Sequence, residues 1–126
     1  MRVLPPILNR HHDAETQRVV IDLDIPASLP HFAGHFDGYP ILPGVAQLDW
    51  AIALARDTFP LPPKFKAVER LKFNAPVFPR CRLQLTLEYQ PEQGQLNFTY
   101  CGSGHDGQTV SSGRVFFDAI PYEGQA

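Results

Sequence analysis

Residues 18 to 25 alternate, with Val19, Ile21, Leu23 and Ile25 on one side, Arg18, Asp22 and Asp24 on the other, and Val20 as the exception. A period of two predicts a strand with one face in the core. The pattern returns in Leu83, Leu85, Leu87 and Tyr89, and again in Leu96, Phe98 and Tyr100. The turn residues Pro91-Glu92-Gln93-Gly94 between these runs predict an antiparallel hairpin. Glycine and serine from Gly102 to Gly107 then set off a last strand over Thr109 to Asp118. An earlier strand over Lys64 to Asn74, with Phe65, Leu71 and Phe73 in phase, runs into a bend at Ala75-Pro76-Val77-Phe78-Pro79.

One stretch has helical periodicity, from about Pro43 to Phe59, where Val45, Leu48, Ile52, Ala55 and Phe59 recur at three and four. Pro43 suits the first helical turn, where its missing N–H has no intrahelical partner, and Pro60-Leu61-Pro62-Pro63 ends the helix. Ala46, Trp50, Ala51, Ala53 and Leu54 lie off the stripe, so the helix is expected to be covered on most sides. The architecture expected is α+β, five to six antiparallel strands curled round one long central helix. The first fifteen residues, and Pro121 to Ala126, read as loose ends.

The 126 residues are enough for one domain, and at 44% hydrophobic content they supply a core without disulfides or metals. A formal charge of −2 does not mark a nucleic-acid binder or a polybasic membrane anchor as a whole, so any electrostatic role is local. No apolar run has the length of a transmembrane helix, and the proline-broken start does not resemble a signal peptide. Cys81 and Cys101 lack metal spacing and read as reduced thiols on strands, in keeping with a cytoplasmic protein.

The candidate chemistry is concentrated between His31 and Trp50. His35 stands between Gly34 and Phe36 in a loop bounded by Pro30, Gly38 and Pro40, where an imidazole titrating near neutrality can serve as a base. A loop histidine with a hydrogen-bond role only is the plainer reading of composition. His31, four residues earlier, has the spacing of a helical zinc pair, but the prolines and glycines argue against helix and metal. Asp49 lies beside the apolar stripe in a helix with little other charge; buried there, it would resist ionisation and suit a general acid, whereas solvent-facing it would be ordinary. Gly44 and Val45 open the helix, where first-turn N–H groups and the positive dipole end can hold a ligand oxygen; helix-entry geometry is the alternative. Lys64, Lys66, Arg70, Lys72, Arg80 and Arg82 share the interval 64 to 82 with Glu69 alone as counter-charge, a candidate docking patch for an acidic partner or simply a solvated strand face.

Taken together, Gly34-His35-Phe36-x-Gly38-x-Pro40-Ile41-x-Pro43-Gly44-Val45 followed by Leu48-Asp49 resembles the signature of the hotdog-fold 3-hydroxyacyl-(acyl carrier protein) dehydratases of the FabA/FabZ type. The family's histidine precedes its acidic helix residue by fourteen positions, as His35 precedes Asp49. The segment Leu71 to Pro79 looks like the family's strand and proline bend. Asp37 replaces the usual proline, and Arg80-Cys81 stands where many members have glycine and aspartate. Asp49 in place of glutamate is similar to the FabA branch, yet Gln47-Leu48-Asp49-Trp50-Ala51 looks more like the FabZ-like dehydratases of aryl-polyene clusters.

The resemblance implies a homodimer with composite sites, His35 from one subunit and Asp49 from the other, acting without a cofactor on a 3-hydroxyacyl chain borne by acyl carrier protein. Higher or hetero-oligomers stay open. It implies dehydration to the trans-2-enoyl product, with a hotdog thioesterase, or a non-catalytic acyl-binding subunit partnering an active dehydratase, as the alternatives.

Overall fold

A computed structural model describes residues 3–32, 41–102 and 107–118. Six strands, β1 (Ile7–Asp13), β2 (Arg18–Ile25), β3 (Phe65–Phe73), β4 (Cys81–Gln90), β5 (Gln95–Gly102) and β6 (Thr109–Phe117), form one antiparallel sheet in the order β1-β2-β4-β5-β6-β3. The helix α1 (Gly44–Thr58) follows a single 3₁₀ turn at Pro30–Phe32.

The alternating sequences set the register. Ile21 lies opposite Leu85, Leu85 opposite Tyr100, Tyr100 opposite Ser111 and Ser111 opposite Phe73. In the neighbouring row Val19, Leu87, Phe98 and Gly113 follow one another. Val19, Ile21, Leu23 and Ile25 are wholly buried, so this face of the sheet is the core. Gly113 is required there: an added Cβ would come within 2.7 Å of the Phe98 ring.

Three expectations are corrected. Residues 7–13 are not a loose arm, because β1 pairs with β2 and His12 packs edge-on to Phe59 at 5.7 Å. Pro43 is the N-cap rather than a first-turn residue, extended at ψ 145°, its carbonyl accepting from the Ala46 and Gln47 N–H groups. The helix also turns a rotated face inward, which keeps Ala55 and Phe59 of the expected stripe but not Val45, Leu48 and Ile52. Trp50 and Leu54 are fully buried, flanked by Ala46, Ala51 and Ala55, whereas Val45 is 75% exposed and Leu48 and Ile52 only half-buried. Alanines let the helix approach the sheet closely, and the indole takes the central space with its Nε1–H donating to the Val3 carbonyl at 3.2 Å.

The helix stops where proline forbids continuation: Phe59 is extended before Pro60, and the Arg56 guanidinium donates to the Pro62 and Pro63 carbonyls at 2.7 and 3.0 Å. The β4–β5 turn closes through Gly94 at φ +61°, where an added Cβ would sit 2.8 Å from the Phe117 carbonyl oxygen. Gly94→Ala is therefore expected to lower stability by at least about 1–2 kcal/mol, read as a lower urea midpoint without change in slope.

Candidate active site

At the start of α1 the chain forms a cleft of about 360 Å³ bordered by Ile41, Leu42, Gly44, Gln47, Phe73, Asn74, Ala75 and Pro76. Its geometry follows from the extended Pro43. With the Pro43 carbonyl serving Ala46 and Gln47, the Gly44 and Val45 N–H groups are the first-turn donors without an acceptor among the described residues. The Phe73 ring covers Gly44 so closely that a Cβ there would lie 2.6 Å from it. The opposite wall is fixed by the bend after β3, where the Asn74 and Ala75 N–H groups both donate to the Val110 carbonyl, at 2.8 and 3.2 Å.

Asp49 lies one turn further along α1. Its residue is partly exposed rather than buried, on the outward half of the helix that also carries Val45 and Ile52. Close to it, the Tyr100 phenol is fully buried and held well above its ordinary ionisation range, first by desolvation and then by the negative charge of Asp49. The Tyr100 hydroxyl donates to the Gln47 carbonyl at 2.7 Å. Ser111, also buried, donates to Gln47 Oε1 at 2.7 Å, and Gln47 Nε2 reaches the Leu42 carbonyl at 3.5 Å. The sequence reading missed this group. Its signal was a glutamine among alanines on the helix, and a serine at an inward strand position.

His35 lies outside the described residues, as do Gly34, Asp37, Gly38 and Pro40. In the turn that precedes these residues, the His31 ring stands edge-on to Trp50 at 5.0 Å. Among the described residues no three His, Cys, Asp or Glu side chains converge on a metal position.

Comparison with known proteins fits this arrangement. Residues 11–114 match the family described as ApeI-like, ApeI dehydratase. The chain belongs to the ApeI-like dehydratase family. It is 31% identical to a chain of the dehydratase heterocomplex ApeI:P from Xenorhabdus doucetiae, covering 89% of this chain and 96% of that one with a TM-score of 0.81. An uncharacterized protein from Erwinia carotovora subsp. atroseptica is 35% identical, with 95% and 100% covered and a TM-score of 0.84. Among curated relatives, the 3-hydroxyacyl-[acyl-carrier-protein] dehydratase FabZ of Syntrophotalea carbinolica is 30% identical over 130 residues, 91% of this chain and 88% of its own length. The fold of this ApeI-like chain is thereby the hotdog fold, its sheet wrapped on one helix.

The six basic residues, read as either a docking patch or a solvated strand face, fall into two groups. Lys66, Arg70 and Lys72 lie on the edge strand β3, with Lys64 just before it, whereas Arg80 and Arg82 lie at the start of β4 beside Asp24. Two strands intervene, and Arg114 instead joins Arg70 and Lys72 around a second cleft of about 380 Å³ that also includes Glu88. Cys81 and Cys101 carry free thiols, on β4 and β5, and burial, then Asp24, pushes the Cys81 thiol up.

Raised ionisation of Tyr100 has a stability consequence. The folded chain keeps this proton where the unfolded chain releases it, so its contribution is whole below about pH 10 and falls as pH rises further. Tyr100→Phe is expected to flatten the alkaline loss of stability, measured by urea unfolding between pH 8 and 11.

Proposed function

We propose that this chain dehydrates 3-hydroxyacyl chains on acyl carrier protein to trans-2-enoyl chains, in fatty-acid or polyene-type synthesis. The observation that carries this reading is the dehydratase family match over residues 11–114, an interval that includes both His35 and Asp49. In the proposed step, neutral His35 takes the C2 proton, and the C2–H electron pair becomes the C2–C3 double bond. The C3–O bond breaks as Asp49 orients the C3 hydroxyl and passes it a proton, so that the hydroxyl leaves as water. Negative charge developing on the thioester oxygen is held by the Gly44 and Val45 N–H groups at the positive end of α1. Transfer of a proton from His35 back to Asp49 resets the pair. Carrier-bound substrate supports a cytoplasmic place of action, and no helix among the described residues is long and apolar enough to cross a membrane.

Two copies of the chain complete each site in this reading. Its support is an apolar surface that a single chain leaves open: Leu71, Phe73 and Phe78 are 41%, 48% and 46% exposed along and after the edge strand β3, and Val45 is 75% exposed on the helix. Unpaired strand edges carrying apolar side chains pair with another chain, and a two-fold dimer would bring each copy's β3 against the other's. His35 of one subunit then serves Asp49 of the other.

His35→Ala and Asp49→Asn are each expected to lower conversion of a 3-hydroxyacyl thioester about 10²–10⁴-fold. Re-equilibrating the two inactive variants in equal amounts is expected to restore about a quarter of wild-type activity, since half the dimers then hold one intact site. Wild-type turnover by both single variants defeats the mechanism. No recovery in mixed dimers defeats the composite site.

The carrier, an acidic partner in this proposal, docks on the β3 group of Lys64, Lys66, Arg70 and Lys72 with Arg114. Reversing charge at Arg70, Lys72 and Arg114 is expected to raise KM for carrier-bound substrate and weaken its salt dependence, while turnover of pantetheine-bound substrate stays the same. Equal effects on both substrates would remove the docking surface. Arg80 and Arg82, two strands away, then serve as controls.

A further inference from the structure

The polar group at the base of α1 is not used by the chemistry above, yet its three residues are buried and joined by hydrogen bonds. Gln47 is 3% exposed and Ser111 and Tyr100 are fully buried. Tyr100 and Ser111 face one another across β5 and β6, and both hydroxyls donate to the same residue at 2.7 Å, one to its main-chain carbonyl and the other to its side-chain oxygen. The carboxamide also reaches back to Leu42, the residue before the N-cap. Phe73, in the same cross-strand row, sets the other side of Gly44.

We propose that Gln47, held by Ser111 and Tyr100, is a positioning residue that fixes the first turn of α1 against the sheet. This rests on the dehydratase reading, in which the Gly44 and Val45 N–H groups and the Asp49 carboxyl act on one substrate. Gln47 lies between those groups in the chain, three residues after Gly44 and two before Asp49. A shift of the first turn moves the amide donors relative to Phe73 and turns Asp49 about the helix axis. Misplacement of about 1 Å lowers rates about 10²-fold without loss of the fold.

Ser111 does not border the cleft, so its replacement tests positioning without touching bound substrate. Ser111→Ala is expected to lower kcat about ten- to a hundredfold with KM nearly unchanged, and Ser111→Thr, which keeps the hydroxyl, to restore most of it. The double variant Gln47→Met with Ser111→Ala removes donor and acceptor together and is expected to keep a near-wild-type Tm while retaining the loss in kcat. Return of both Tm and kcat in the double variant overturns the proposal, as does a Ser111→Ala protein with lowered Tm and full kcat. A second readout is the amide resonance of Gly44 on binding a non-reactive acyl-pantetheine amide, expected to shift in wild type and to respond less in the double variant. Absence of 3-hydroxyacyl turnover by wild type would instead defeat the dehydratase reading, and an identical Gly44 response in both proteins would still overturn the positioning role.

Discussion

Everything at the amino end of α1 depends on one cross-strand row, Ile21, Leu85, Tyr100, Ser111 and Phe73. Its first half is aliphatic and packs as core; its second half is polar, then aromatic, and grips the helix start. An α-helix resting on a sheet through apolar contacts alone is free to slide by fractions of an ångström, because the hydrophobic effect has no direction. Two hydroxyl-to-Gln47 bonds at 2.7 Å supply that direction. The cleft, the first-turn amides and the height of Asp49 inherit it.

Where a residue's surroundings could be deduced from its own period, the fold was legible in the chain. Strands β2, β4 and β5 emerged from alternation, broken in β2 only at Val20, and the helix from its prolines at both ends. Strand β1 was not legible, because Ile7–Asp13 has no buried residue and is held by the backbone ladder to β2. The inward face of α1 was misassigned because the helix has two apolar faces, and periodicity alone does not rank them; the volume of Trp50 does.

The site was half legible for a similar reason. His35, Gly44 and Asp49 stood out by residue type and neighbours, whereas Gln47 and Ser111 have no meaning until strands separated in sequence are placed side by side. Basic residues on either side of the Ala75–Pro79 bend read as one patch in the chain, yet the order β4-β5-β6-β3 sends them to different parts of the sheet. Adjacency along the chain was a poor guide to adjacency across strands. Asp49, for which burial and solvent exposure were both open from the sequence, is partly exposed, because it shares the outward side of the helix with Val45.

The sheet has two free edges of unlike chemistry. Strand β3 presents Leu71 and Phe73 among Glu69, Arg70 and Lys72, whereas β1 follows exposed Ile7 and Leu8 with an unbroken polar run, Asn9, Arg10, His11, His12 and Asp13. The proposed pairing through β3 would cover Leu71 and Phe73 of both copies and leave the β1 edges outermost, where charged and solvated side chains discourage further strand addition. Growth into a fibre would need both edges to be adhesive. Under the proposed β3 pairing, the mostly polar β1 edges would end strand addition after one neighbour.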